Sequence, residues 1–127
     1  MRHFRRSGFT LIELLIVVVI IGVLAAIAVP KFETTKGRAY TAAMKSDLRN
    51  LATAEEGYFF SYNTYTSSLT NLNFIPSVHV TLTIPEATGS GWSATTTHSS
   101  TSTRCGIYMG TAAAVSPATQ ESALTCQ

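Results

Sequence analysis

Side chains able to do chemistry are few in this 127-residue sequence and lie far apart along it. His79 and His98 each stand among threonines in strand-like segments, where an exposed polar face is the simplest placement. A zinc site joining them to Cys105 would lack the usual ligand spacing and a fourth ligand. Asp47 is the only aspartate, so no Ser-His-Asp arrangement is visible. The sequence predicts no metal site, no cofactor and no catalytic residue.

Two other patterns are weak signals of a catalytic site. Glu55 and Glu56 are adjacent, but neighbouring helix positions do not face each other, so a solvated helix face is the better interpretation. The Gly-Ser-Gly run at residues 89–91 is too short for a phosphate-binding loop and does not open a helix. We therefore predict that the protein is not an enzyme.

The carboxylate that stands out is Glu13, because it is the one ionisable side chain among the 21 residues from Phe9 to Val29. As a helix this segment would span roughly 31 Å, the thickness of a bilayer's hydrocarbon core. A charged residue at the centre of such a segment costs about 2.5–3.5 kcal/mol to insert. An ionisable group inside a membrane segment is therefore expected to have a function and a partner.

The charges before this segment predict its orientation. Arg2, Arg5 and Arg6 precede the apolar residues, so the positive-inside rule keeps residues 1–8 in the cytoplasm. Everything after Val29 then lies on the other side of the membrane.

A secretory signal peptide is the competing interpretation of the same residues. The basic start, the apolar segment and the Ala-Ile-Ala run ending at Ala28 fit a signal that is cleaved after Ala28. Pro30 would lie just beyond the cut, where proline is unfavourable, and a disposable signal has no use for Glu13. A secreted domain that begins at Val29 stays as a less favoured alternative.

Cleavage after Gly8 would give Glu13 a partner. The new N-terminus would be Phe9, whose α-amine is positively charged near neutral pH and lies four residues from Glu13 along one helix face. When such helices pack side by side with an axial shift, the carboxylate of one copy meets the amine of another. Breaking this pair would leave a buried charge at a cost of several kcal/mol, so the pair favours one register. We predict that Glu13 sets the register of an assembly.

The segment Ser7–Leu15, which reads Ser-Gly-Phe-Thr-Leu-Ile-Glu-Leu-Leu, resembles the processing and assembly signature of the type IV pilins. In that family a prepilin peptidase cleaves after the glycine, which implies cleavage between Gly8 and Phe9 and N-methylation of Phe9. The similarity continues through Ala25–Pro30 and weakens through Ser46–Leu51, in the manner of the short-leader type IVa pilins. It covers about the first half of the chain.

The resemblance implies a structural subunit, the major pilin of a type IV pilus. Such a subunit waits in the bacterial inner membrane as a single-pass protein with a cytoplasmic N-terminus, and then enters an extracellular helical filament. Its partners would be further copies of itself, the prepilin peptidase and methyltransferase, and the pilus assembly machinery, with surfaces or DNA as further candidates. A type II secretion pseudopilin and an adhesive or DNA-binding minor pilin are the alternatives.

The charge balance gives little support to DNA binding by a lone subunit. The chain has 9 Lys and Arg against 7 Asp and Glu, a net charge of +2. Loss of residues 1–8 removes three of the nine cations and leaves six against seven. Five of the remaining cations could still form a local patch: Lys31, Lys36, Arg38, Lys45 and Arg49.

Helical periodicity continues beyond the apolar segment, which predicts one helix over residues 9–62. Residues 9–29 form its membrane and filament-core part, and residues 30–62 form an amphipathic half. The apolar stripe of that half comprises Tyr40, Met44, Leu48, Leu51, Ala52, Tyr58, Phe59 and Tyr62. Pro30 is expected to kink the helix, with Gly22 as a further weak point, and the resemblance implies that chain near this proline unwinds in the filament.

Residues 63–127 are predicted to form a globular β region. Residues 63–73 are a loop by composition, and Val78, Val80, Leu82 and Ile84 alternate with polar residues as in a strand. A turn over 85–91, strands over 92–98 and 103–109, and a short strand around 123–125 complete the pattern. The predicted fold is α+β, with a long N-terminal helical spine packed by its second half against a small antiparallel β-meander.

Two features of the β region concern its surface and its covalent structure. Residues 93–103 hold nine Ser or Thr among eleven, which favours a solvated polar surface over a site for O-linked sugars. Cys105 and Cys126 would form a disulfide in an oxidising compartment, and the pilin resemblance implies the same bond. Two separate free thiols are the alternative.

Overall fold

The computed structural model describes residues 8–127. Residues 1–7, which contain His3 and the three arginines of the predicted leader, lie outside the described residues. The elements are α1 (Leu11–Tyr62), β1 (Val80–Ala87), β2 (Gly91–His98), β3 (Arg104–Gly110) and β4 (Thr125–Cys126). This order of one long helix followed by four strands confirms the predicted α+β fold. The chain divides into two units, one ending at Lys36 and the other comprising Gly37–Gln127.

In the first unit α1 is exposed on every side. Its apolar side chains from Leu11 to Val29 are between 47% and 85% exposed. By length and composition alone, α1 is long and apolar enough to cross a membrane. It starts two residues later than predicted and runs through Pro30 without interruption. A kink at Pro30 stays a prediction.

In the second unit the apolar stripe of α1 packs on the sheet. Met44, Leu48 and Leu51 are fully buried there, as the periodicity predicts. Tyr62, at the end of the stripe, is exposed. The helix stops because Asn63 takes a left-handed backbone conformation (φ 57°). Its N–H donates to the Phe59 carbonyl at 2.8 Å, which closes the last turn.

The four strands form one antiparallel sheet in the order β1-β2-β3-β4, so the predicted meander is confirmed. Alternate residues of β1 and β2 face the helix and are buried with it. These residues are Val80, Leu82, Ile84, Trp92, Ala94, Thr96 and His98. The core of this unit therefore lies between one helix face and one sheet face.

The first strand differs from the prediction at both of its ends. Val78 precedes β1 and is 80% exposed. Residues 85–87, predicted as part of a turn, continue β1 beyond a register irregularity between Thr83 and Glu86. Pro85 is tolerated because β1 is an edge strand, where one row of backbone groups needs no partner strand.

The segment between β3 and β4 covers the other face of the sheet. A Cβ atom on Gly106 would lie 3.2 Å from the Val115 carbonyl oxygen and 3.3 Å from Pro117 Cδ. Ser93, on this face of β2, is buried, and Thr96 is buried on the helix side. The predicted solvated surface over residues 93–103 is therefore wrong for these two side chains, because both faces of β2 are covered.

Cys105 and Cys126 are register partners in β3 and β4 and form a disulfide, as predicted. The bond links the sheet to the end of the segment that covers it. It joins positions 21 residues apart in the chain.

Carboxylates of α1 hold the loop between the helix and β1. Glu55 is fully buried, and its Oε2 accepts a hydrogen bond from the Thr66 N–H at 3.0 Å. The neighbouring Glu56 is exposed and accepts a bond from the Tyr65 hydroxyl at 3.1 Å. The predicted solvated face is therefore correct for Glu56 and wrong for Glu55, because the loop folds over Glu55.

Candidate functional site

The start of α1 brings Thr10 and Glu13 together. The Thr10 N–H donates to Glu13 Oε2 at 2.8 Å, and the Thr10 hydroxyl donates to the same oxygen at 2.7 Å. In return, the Glu13 N–H donates to Thr10 Oγ1 at 3.3 Å. These reciprocal bonds make a capping box, which satisfies backbone N–H groups that the first turn leaves free.

The capping box gives Glu13 a local role that our sequence reasoning missed. The signal was present, because Thr10 and Glu13 have the Ser/Thr-x-x-Glu spacing and an apolar run follows them. The carboxylate of a single chain therefore already has polar partners at the edge of the apolar segment. Among residues 8–127 no hydrogen bond reaches its other oxygen, Oε1, which can accept from a further donor.

The bond predicted to be cleaved lies on accessible backbone. Gly8, Phe9 and Thr10 precede the helix and are exposed. Among residues 8–127, no heavy atom other than those of its chain neighbour lies within 4 Å of the position that a Cβ on Gly8 would take. The Gly8–Phe9 bond therefore lies before the first turn of α1.

Cleavage at this bond would put a cation next to the capping box. The amine of Phe9 would belong to the residue just before Thr10, whose own N–H lies 2.8 Å from the Glu13 carboxylate. Consecutive Cα atoms are about 3.8 Å apart, so the amine and the carboxylate would share one end of the helix. The site can thus form an ion pair, within one chain or between two.

The surface around this site is apolar on all sides. The apolar residues between Leu11 and Ile20 point in every direction around the helix axis, and each is between 47% and 85% exposed. A helix that is apolar all round is stable only inside a membrane or packed among other helices. The carboxylate and the apolar surface together can therefore serve insertion and lateral association.

The other predicted positions of α1 are placed separately. Gly22 lies within the helix, and in the described part of the chain no heavy atom outside the adjacent helix backbone lies within 4 Å of the position its Cβ would take. Pro30 also lies inside the helix. Within residues 8–127 the structure gives no further partner to either residue.

The prediction that His98 lies on an exposed polar face is wrong. It is buried, and its ring stacks on that of Tyr40 with centroids 4.2 Å apart. Its Nδ1 accepts a hydrogen bond from the Ser100 N–H at 3.1 Å, so the neutral ring carries its proton on Nε2. His79 is exposed, with its ring centroid 6.1 Å from that of His98. Among residues 8–127 no group of three His, Cys, Asp or Glu side chains could hold a metal ion.

Comparison with known proteins places similarity at this end of the chain. Residues 3–29 match the family model of the prokaryotic N-terminal methylation motif. The chain is 43% identical over 72 residues to the type IV major pilin protein PilA of Myxococcus xanthus, covering 57% of this chain and 33% of that protein. It is 47% identical over 51 residues to the type IV major fimbrial protein FimA of Dichelobacter nodosus, covering 40% of this chain and 33% of that protein.

A third relative has a different name. The type II secretion system core protein G of Pseudomonas aeruginosa is 38% identical over 68 residues, which cover 54% of this chain and 48% of that protein. The chain thus spans between a third and a half of the length of the relatives it matches. The chain carries the N-terminal methylation motif of prokaryotic pilins at residues 3–29 and, over 51 to 72 residues, is a homologue of type IV major pilins and fimbrial proteins.

Proposed function

We propose that this chain is the major structural subunit of a type IV pilus and acts by assembly, without catalysis. The precursor would span the bacterial inner membrane once through residues 9–29, with residues 1–8 in the cytoplasm. A prepilin peptidase would cleave between Gly8 and Phe9, and Phe9 would be N-methylated. The amphipathic residues 30–62 and the β region 63–127 would then enter the extracellular filament with the rest of the mature chain.

The observation that carries the proposal is the start of α1. A carboxylate with one oxygen available lies beside the position of a future amine, in a helix whose apolar side chains are exposed all round. Burial of such a surface contributes roughly 25 cal/mol per Å², so helix packing would supply most of the cohesion. The ion pair of Glu13 with the Phe9 amine of another copy would then select one register.

A type II secretion pseudopilin is the second candidate, because one relative is a core protein of that system. Its N-terminal cleavage and methylation would be the same, so the two candidates must be distinguished by where the mature protein accumulates. A major pilin dominates the protein sheared from cell surfaces, whereas a pseudopilin would stay associated with the cell envelope.

The test is mass spectrometry of the mature N-terminus, in the membrane fraction and in sheared surface protein. The proposal expects a chain that begins at N-methylated Phe9 in both fractions and is abundant in filaments seen by electron microscopy. A mature chain that begins at Val29, or one that keeps residues 1–8, would overturn it. Methylated Phe9 in a chain confined to the envelope would favour the pseudopilin.

A further inference from the structure

The charged side chains of the unit Gly37–Gln127 are unevenly distributed. The cations are Arg38, Lys45, Arg49 and Arg104, and the carboxylates are Asp47, Glu55, Glu56, Glu86 and Glu121. After Arg49 the sequence has no further Lys or Arg except Arg104. Whether these groups mix or separate in space depends on how α1 lies on the sheet.

In this unit α1 runs opposite to β2. Tyr40, early in the helix, stacks on His98 at the end of β2. Glu55, late in the helix, binds Thr66, and the adjacent Tyr65 N–H donates to the Thr88 carbonyl at 3.0 Å in the turn that precedes β2. We call the end with Tyr40 and His98 the near end, and the end with Glu55 and residues 88–90 the far end.

Three cations lie toward the near end. Arg38 precedes Tyr40 by two residues, and Lys45 follows it by little more than one helical turn. Arg104 pairs with Thr97, next to His98. The carboxylate of this region, Asp47, is buried and bound by the N–H and the hydroxyl of Ser77. Arg49 lies midway along the helix.

The exposed and half-buried carboxylates lie at the far end. Glu86 accepts a hydrogen bond from the Ala113 N–H and Glu121 one from the Gly110 N–H, both at 2.9 Å, so both are tied to the turn at residues 110–113. Gly110 is paired with Gly91 at the start of β2. Glu56 lies beside Glu55, also at this end.

The two groups are too far apart to neutralise each other. From Lys45, the cation nearest to Glu56 along the helix, to Glu56 the helix rises about 16 Å, some two Debye lengths at physiological ionic strength. The unit Gly37–Gln127 therefore presents a positive end and a negative end along its part of α1. These are two different surfaces, and a contact between different surfaces can repeat from copy to copy without closing on itself.

We propose that copies of this chain stack head to tail, with Arg38, Lys45 and Arg104 of one copy against Glu56, Glu86 and Glu121 of another. The inference rests on the proposed function for the parallel alignment of the helices, which a common origin in one membrane would give. This contact, made by the unit Gly37–Gln127, would act in addition to the proposed ion pair of Glu13.

Zero-length carbodiimide cross-linking of wild-type filaments tests this contact, because it joins a carboxylate directly to an amine. Lys45 is the one lysine in residues 37–127. Within one copy, Lys45 and Glu56 are separated by about 16 Å of helix, too far for such a bond. We expect linked peptides that join Lys45 to Glu56, Glu86 or Glu121. Filaments whose Lys45 links to none of these carboxylates would overturn the stacking alone.

Charge reversal provides the functional test in cells. Arg38→Glu with Lys45→Glu is expected to lower the yield of sheared filaments by about tenfold or more, since like charges would then meet. Glu56→Lys with Glu121→Lys should do the same, and the combination of all four changes should restore assembly. Arg49→Glu makes the same kind of charge change midway along the helix and should stay within about twofold of wild type.

The outcomes distinguish a failure of the head-to-tail stacking from a failure of the pilin assignment. The amount of disulfide-bonded protein in the membrane fraction checks that each variant folds. Wild-type yields from both reversed pairs, with normal membrane levels, would overturn the stacking and leave the pilin assignment intact. Absence of filaments from wild-type cells would overturn both.

Discussion

Asp47 on α1 holds Ser77 with both of its carboxylate oxygens. Oδ2 accepts the Ser77 N–H at 2.8 Å, and Oδ1 accepts the Ser77 hydroxyl at 2.7 Å. The backbone carbonyl of Ser77 in turn accepts a hydrogen bond from the Val80 N–H at 3.0 Å, where β1 begins. The single aspartate of the chain therefore connects the helix to the start of the sheet.

Asp47→Ala should destabilise the fold by about 1–3 kcal/mol, because it leaves a backbone N–H and a hydroxyl without their charged acceptor. Ser77→Ala removes one of the two bonds and should cost about 1 kcal/mol. Chemical denaturation of the detergent-solubilised chain measures both. Ser46→Ala, at an exposed neighbouring position, is the control. An Asp47→Ala protein as stable as this control would contradict the role.

Glu55 should make stability depend on pH. Burial raises the pKa of Glu55 above its ordinary value of 4.5, and the hydrogen bond from Thr66 opposes this rise only in part. The folded protein thus keeps a proton that the unfolded chain has already lost. The free energy of unfolding therefore falls as pH rises from the ordinary pKa to the raised one.

Glu55→Gln should remove this fall, because an amide can accept the Thr66 N–H and carries no charge. Unfolding curves at about pH 4 and about pH 7 should show the variant gaining on wild type at the higher pH. Glu56→Gln removes a neighbouring charge that also raises the pKa of Glu55, so it should lessen the fall without abolishing it. A Glu55→Gln profile parallel to that of wild type would refute the assignment.

Substitutions can separate the capping role of Glu13 from its proposed pairing with an amine of another copy. Glu13→Gln keeps an acceptor for Thr10 but removes the charge, so the helix start should survive while filament assembly fails. Thr10→Ala weakens the cap by about 1 kcal/mol and keeps the charge, so assembly should continue. Glu13→Ala should also block assembly and leave membrane insertion intact. Electron microscopy and membrane fractionation give the two readouts, and normal filaments from Glu13→Gln would exclude the ion pair.

The disulfide should contribute substantially to the stability of the second unit. On the loop-entropy model, closing a loop of this size contributes about 3 kcal/mol. Replacing both Cys105 and Cys126 with serine should therefore lower the free energy of unfolding by about that amount, as measured by denaturation. Wild-type protein under reducing conditions should match the double variant. A reduced wild type as stable as the oxidised one would rule out this contribution.

Periodicity predicted the fold well where one apolar face sufficed to define an element. Met44, Leu48 and Leu51 lie on the predicted buried stripe, and the alternation of Val80, Leu82 and Ile84 gave the helix-facing side of β1. The pattern could not reveal that β1 starts after Val78, since an apolar residue at the right spacing looks the same whether or not the strand includes it.

The burial of polar residues was harder to predict from the sequence, because the residues that cover them belong to distant segments. Glu55 is covered by a loop that follows the helix, and His98 is covered by Tyr40. Ser93 lies on the sheet face beneath the segment that follows β3. Composition alone predicts that all three side chains are solvated, and only the tertiary contacts show that they are buried. At the candidate site, Glu13 was found from its apolar surroundings, while its bond to Thr10 needed the structure.

The segment between β3 and β4 approaches the sheet closely at Gly106, and its residues therefore take two kinds of position. Val115 and Pro117 lie against the backbone of β3, so a larger residue at 106 would push the segment away. Ala113, Ala114, Ser116 and Thr119 point outward and are exposed. Substitutions at the outward positions can therefore change the surface chemistry of this segment, while the residues beneath them keep the sheet intact.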